Sequence, residues 1–328
     1  MKKTFIPLIL TASLLTLSTS GCSTSSEISN PITYTDTLFD TVINVQIYDS
    51  EDFDLIDGCK ELCRKYDRMF SKDDDGSEIL KINNAGGTPT EVSDDTIEIL
   101  NTGLYYSELS KGIFDITIGT VTSLWDFQSD EHKIPDQESI NEALTHVDYQ
   151  NVVISGNTVT LKDPEAKLDV GAIAKGYIAD KLKEYLKGNG CNHALINLGG
   201  NVLAVGGKDD DTAFHVGIQE PFDETGEAIT SVMLEDQTLV TTGIYQRYFT
   251  VDDVIYHHII DPSTGYPSDN QLYSVTIKTD SSLNADALST LTFLLGLDKG
   301  MELIDSLDGV EALFITSDME LIYTDQFQ

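Results

Sequence analysis

Hydrophobic positions recur along this chain with two different periods. Leu55, Ile56, Cys59, Leu62, Cys63, Tyr66, Met69 and Phe70 fall on one stripe of a 3.6-residue helix. A second helix is predicted from Ser93 or Asp94, as cap, to Gly112, its stop, and a third from Ala174 to Leu186, closed by Gly188. The segment "NADALSTLTF", Asn284 to Phe293, begins a fourth, with Ala285, Leu288, Leu291 and Leu294 on its apolar face. A fifth runs from Lys299 to Leu307. A period of two, or a short β-rich run, marks strands at Thr41 to Ile47, Ala194 to Leu198, Phe214 to Ile218, Ser231 to Leu234 and Leu239 to Thr242. Further strands are predicted at Val254 to Ile260, Ser274 to Lys278 and Ala312 to Thr316, and "NVVISGNTVTL" reads as a hairpin about Ser-Gly-Asn. Strand follows strand through the second half. The fold class is therefore α+β, with mixed, largely antiparallel sheets and packed helices.

The N-terminus has a different pattern. Lys2 and Lys3 precede a mostly apolar run, Phe5 to Leu17, and then "STSGC". That is the layout of a secretory signal, too short for a membrane span. It is similar to a bacterial lipoprotein signal over residues 1–21, with Cys22 as the lipid-bearing first residue, although Thr19 stands where Leu is commoner. Residues 22–33 then read as a lipidated Cys with a polar tether, and 34–328 as a single domain. The remaining cysteines, Cys59, Cys63 and Cys191, lack metal or disulfide spacing and read as core residues.

Charge narrows the function. A formal net charge of −35 over 328 residues argues against nucleic acid, because no basic stripe is available to release counterions from phosphates. It also requires any anionic ligand to be met by a local cation or a helix N-terminus. Asp286 and Thr290 are one helical turn apart and share a face. Either they serve a local hydrogen bond, or both oxygens share a hard cation such as Mg²⁺. In "KLDVGAIAKGYIADKL", Asp169 and Lys175 flank a strand-to-helix turn. One reading is an anion site at a helix start, and the other a cap with a solvated lysine. "NLGGNVLAVGGK" lacks dinucleotide spacing. Phe114, Trp125 and Phe127 are either ring-flanking or core. In "VIYHHIIDPSTGYP", a strand places His257 and His258 on opposite faces, with His258 sharing that of Ile260. His258 is then a structural histidine or a general base.

The order of "SEI" at Ser77, "GIFDITIGTVTSLWDF", "LDVGAIAKGY", "INLGGNVLAVGG", "HVGIQEP", "VTTGIYQRYF", "YHHIIDPSTGYP" and "ADALST" resembles the ApbE family of FAD:protein FMN transferases, from about Thr37 to near the C-terminus. The resemblance implies a T-fold-related, two-lobed unit with the flavin nucleotide site between lobes. It also implies Mg²⁺-dependent transfer of the FMN half of FAD to a Thr or Ser hydroxyl of an acceptor protein, with AMP released. The acceptor would be a flavin-carrying subunit or domain of a membrane redox complex. The setting would be the extracytoplasmic face of a bacterial membrane, reached through the lipid on Cys22. Carried over residue by residue, the metal ligands are Asp286, Thr290 and the carbonyl of Ala172. The flavin-nucleotide contacts are Ile113, Phe114, Asp115, Asp169, Lys175 and Ile260, and the base is His258.

Two departures from the family pattern stand out. Phe39-Asp40-Thr41 replaces a Met-Gly-Thr beside the flavin, and Thr242-Gly243-Ile244 replaces a Ser-Gly-Asp-like run. Two rival functions remain open. An FAD pyrophosphatase would release FMN and AMP from the same metal site. A non-catalytic flavin-binding lipoprotein would need no metal pair.

Overall fold

The computed structural model describes residues 31–49, 52–127, 132–208, 210, 212–223 and 225–327. The expected signal at 1–21, Cys22 and the expected tether through residue 30 lie outside them. The first strand, β1 (Ile32–Leu38), begins directly after Pro31, so Ile32 and Thr33 belong to the fold and not to the tether. Only Tyr34 of β1 is fully buried, and so weak an alternation left this edge strand without a sequence signal. It pairs with β2 (Thr41–Ile47) through a two-residue turn, Phe39-Asp40. Both turn residues have positive φ, 54° and 57°, the conformation of a type I′ hairpin turn.

The chain continues through α1 (Phe53–Phe70), α2 (Glu78–Asn83), β3 (Thr90–Glu91), α3 (Asp94–Leu109), α4 (Gly119–Thr122) and α5 (Gln137–Leu144). The predicted hairpin is β4 (Val152–Ser155) with β5 (Thr158–Leu161), and α6 (Ala174–Gly188) follows. The strand-rich half comprises β6 (Ala194–Leu198), β7 (Asn201–Val205), β8 (Phe214–Gln219), β9 (Ala228–Leu234), β10 (Thr238–Gly243), β11 (Tyr248–Val251), β12 (Val254–His257) and β13 (Leu272–Thr279). Then come α7 (Ser282–Asp305), β14 (Glu311–Thr316) and β15 (Leu321–Tyr323). The short α2, α5 and β15 gave no periodic signal long enough to read.

An eight-stranded antiparallel sheet in the order β1-β2-β6-β7-β10-β13-β14-β15 organises the molecule. Both of its faces are covered, and the central strands record this directly. In β7, Leu203 and Val205 join the main core, while Val202 and Ala204 join a second core on the opposite face. In β14, Ala312 and Phe314 divide from Leu313 and Ile315 in the same way. Successive strand residues point to opposite faces, so a strand buried on both sides loses polar alternation. Helices α1, α6 and α7 cover the first face. The β8–β9 ribbon covers the second with Phe214, Val216, Ile218, Val232 and Leu234. A third, smaller cluster joins Val121 and Trp125 to Ile140, Phe249 and Ile260 beside the β11–β12 hairpin.

The helices expected at 284–293 and 299–307 are the two helical parts of α7, which separate at Gly296, φ 75° and ψ 179°, a backbone state that glycine adopts without penalty. One predicted element differs. The strand expected to reach Ile260 ends at His257; Ile260 makes only an isolated bridge to Pro267. Cys59, Cys63 and Cys191 are buried free thiols, pushed up to about 12 by burial. Thiols held protonated in this way are unreactive core residues.

Candidate active site

The start of α6 lacks a capping side chain of its own. Its N-cap is Ile173, which makes no side-chain bond. Asp169, a candidate for that role, instead accepts from Gly171 N at 2.9 Å and from the Thr122 hydroxyl at 2.7 Å. The partner for the helix comes from far along the chain. Asp286, 3% exposed on α7, accepts from Gly176 N through Oδ2 at 2.8 Å. Its Oδ1 lies 3.8 Å from Lys175 Nζ, too long for a hydrogen bond. Burial pushes the Asp286 carboxyl upward, against the pull of the Lys175 ammonium and the Gly176 amide. Asp180 of α6 returns the arrangement, accepting from Ser282 N at 2.9 Å and Leu283 N at 3.0 Å at the start of α7. Each helix thus caps the other.

Thr290 continues the face begun by Asp286, and its hydroxyl protons fall into one order. Ser289 Oγ donates to the Asp286 carbonyl at 2.9 Å. Thr242 must then donate to Ser289 at 2.8 Å, and Thr290 to Thr242 at 3.3 Å, because each hydroxyl has one proton. Thr290 is left with oxygen lone pairs rather than a free proton. With Asp286 Oδ1 and the carbonyl of half-buried Ala172, just ahead of α6, the donor set is oxygen-only. Such a set suits a hard cation. Among the described residues no group of three or more His, Cys, Asp or Glu is placed to hold a metal ion, and this set contains a single carboxylate.

The two histidines separate clearly. His257 is 5% exposed and both ring nitrogens are used. Its Nε2 donates to the Ser268 carbonyl at 3.0 Å and Nδ1 accepts from Ile259 N at 3.3 Å. Burial pulls it down to about 4; it is a structural histidine. His258 is half-buried and Nδ1 lies 3.2 Å from the Arg247 carbonyl. A carbonyl only accepts, so the proton is on Nδ1 and the Nε2 lone pair remains available. Burial first, then the charges of Arg247, His257 and Lys175, pull His258 down to about 3. It is therefore neutral at physiological pH, as a base must be.

The other predicted residues lie differently. Ile113 is 38% exposed, whereas Phe114 is buried in the main core, edge-on to Tyr106. Asp115 is spent internally: Oδ1 accepts from Thr117 N and Oγ1, at 2.8 and 2.6 Å, and Oδ2 from Tyr149 N at 3.0 Å. Trp125 and Phe127 stack on each other in the third cluster, with Trp125 Nε1 donating to the Gly265 carbonyl at 3.0 Å. Ile260 is buried in that cluster. Asp169 N bonds the Ile116 carbonyl at 2.8 Å, so Asp169 and the 113–115 segment belong to one neighbourhood. Arg247 and Thr242 were not anticipated as site residues. Both lie in "VTTGIYQRYF", one of the segments that carry the family resemblance, and that was the available signal.

A helix N-terminus and a lysine meet one buried carboxylate here, a grouping chemically suited to phosphate groups. The sequence model of the ApbE family matches residues 39–314, and the chain belongs to that family. It is 34% identical to the FAD:protein FMN transferase of Klebsiella pneumoniae (strain 342), over 88% of this chain and 90% of that protein. It is 36% identical to the FAD:protein FMN transferase of Treponema pallidum (strain Nichols), over 78% and 75% respectively. The crystal structure of the ApbE protein from Thermotoga maritima matches with a TM-score of 0.84 at 30% identity, covering 90% of this chain and 98% of that one. The flavin transferase ApbE of Vibrio cholerae shares the fold, with a TM-score of 0.79 at 24% identity and coverage of 90% and 98%.

Proposed function

We propose that this chain transfers the FMN half of FAD to a Thr or Ser hydroxyl of an acceptor protein. The observation that carries the reading is the convergence of Asp286, Lys175 and the first turn of α6. The acceptor oxygen forms a bond to the FMN phosphorus. The bond from that phosphorus to the bridging oxygen breaks, and AMP leaves with that oxygen. His258 takes the hydroxyl proton at Nε2, the nitrogen its Arg247 contact leaves open. Lys175 and the α6 N-terminus meet the negative charge of the phosphates. Asp286 Oδ1, Thr290 Oγ1 and the Ala172 carbonyl would hold Mg²⁺. When bound, that ion neutralises pyrophosphate charge and leaves positions open for its oxygens.

The test mixes the protein, in detergent, with FAD, Mg²⁺ and an acceptor domain from a flavin-carrying membrane redox complex. Intact mass and in-gel flavin fluorescence are read. A gain of one FMN on the acceptor, lost with EDTA, is expected. Free FMN and AMP without an adduct would replace the transferase by a pyrophosphatase. FAD left whole across several acceptors would replace it by a binding protein.

The lipoprotein-like signal supports a position on the extracytoplasmic face of a bacterial membrane, anchored through Cys22, where redox-complex acceptors are reachable. Cys22→Ser should move the protein from the membrane fraction to the soluble fraction. Retention in the membrane would remove Cys22 as the anchor.

A further inference from the structure

Arg247 joins three separate parts of the molecule. It ends the loop between β10 and β11, one residue before β11 begins. Its carbonyl accepts from His258 twice, from the backbone N and from Nδ1, each at 3.2 Å. Its guanidinium reaches across the fold: Nη2 donates to the Phe39 carbonyl at 3.1 Å, and Nη1 lies 3.7 Å from Asp40 Oδ2. Phe39 and Asp40 form the β1–β2 turn, where both hold positive φ. That region disfavours residues with a Cβ by about 1–2 kcal/mol each. The turn is kept there by ties to both peptide groups of Phe39. Its N–H donates to Asp67 Oδ1 of α1 at 2.9 Å, and its carbonyl is taken by Arg247.

The same residue thus grips a strained turn with its side chain and orients the histidine with its backbone. A peptide carbonyl at the end of a loop holds a direction only if the loop is anchored. The start of this loop is anchored by Ile244 N on the Tyr273 carbonyl at 3.0 Å; its end is held by the pairing of Tyr248 with His257 and, through the side chain, by the guanidinium. Building on the transferase reading, we propose that Arg247 is a positioning residue for the transfer. Locked on the Phe39-Asp40 turn, it keeps its carbonyl where His258 is fixed as the Nδ1–H tautomer, leaving the Nε2 lone pair for the incoming hydroxyl. Burial disfavours the imidazolium most, and the positive charge of Arg247 adds to it. A direct phosphate contact by Arg247 is a different role and gives a different kinetic signature.

The test reads His258 itself, by ¹⁵N NMR of the imidazole, together with kcat and FAD affinity. His258→Gln identifies the resonance by removing it and defines the loss expected without the base. In Arg247→Met, His258 should become a mixture of tautomers that titrates toward the ordinary histidine range. kcat should fall on the order of ten- to a hundredfold, with FAD affinity nearly unchanged, as expected when ground-state binding is not involved. Arg247→Lys keeps the charge but loses the planar two-point grip. It should keep the acid-shifted titration with a smaller fall in kcat, and it guards against misfolding of the methionine variant. An unchanged tautomer with unchanged kcat in Arg247→Met would overturn the proposal. So would a loss of FAD affinity equal to the loss of rate. If the wild-type protein forms no adduct at all, the functional reading fails by itself, and the tautomer still decides whether Arg247 orients His258.

Discussion

Asp286→Asn is expected to lower FMN transfer on the order of a thousandfold or more in a protein that still folds. The amide keeps an oxygen for the 2.8 Å bond from Gly176 N, so the cap on α6 survives. The negative charge facing Lys175 is lost, and with it the ligand that a hard cation requires. Asp286→Ala is a less informative variant. It leaves the buried Gly176 N–H without its acceptor, at about 1–3 kcal/mol, and so mixes loss of stability with loss of chemistry. The check combines kcat with calorimetric titration of Mg²⁺ and Mn²⁺ into the folded variant. Normal turnover and metal affinity in Asp286→Asn would end the assignment of Asp286 as a ligand.

Gly176→Ala should destabilise the fold strongly. A Cβ at Gly176 would meet the Ser282 carbonyl oxygen at 2.2 Å, its carbon at 2.7 Å and Asp286 Cβ at 2.8 Å. The first two are backbone, which cannot rotate aside as a side-chain tip does. The helices α6 and α7 must move apart, and the mutual caps made by Asp286 and Asp180 weaken together. Alanine regains about 1 kcal/mol of helix propensity over glycine. Overpacking and the lost caps exceed that gain, giving a net loss of about 3 kcal/mol. Urea unfolding measures it directly. Gly188→Ala is the control: it lies at the end of the same helix, and nothing approaches its Cβ position within 4 Å, so propensity alone should govern it. A Gly176→Ala midpoint equal to that of the control would show that the two helices do not approach as described.

The oxygen-rich face of α7 was legible in the sequence because it is local. Asp286 and Thr290 share that face whatever α7 packs against, since the helical period alone sets it. The buried stripe of α1, the β4–β5 hairpin and the antiparallel character of the second half were legible for the same reason. Each depends on residues within a turn or two of one another. Edge strand β1 was not, because it buries little and its identity rests on pairing with β2.

The partners of each polar group were decided only by the tertiary structure. Asp169 stands beside the α6 start in sequence yet bonds Thr122, while the cap comes from Asp286, 110 residues beyond Gly176. His257 and His258 are adjacent and chemically identical. One is consumed by the Ser268 carbonyl and the Ile259 amide, and the other keeps Nε2 open. Phe114 packs its side chain into the main core, and the Asp115 carboxylate is taken by Thr117 and Tyr149. Arg247 meets Phe39 across 208 residues of chain. Periodicity reports which face of an element is apolar. Which donor finds which acceptor depends on how closely two elements approach, and here that is set by a glycine at a helix crossing and by a turn held at positive φ.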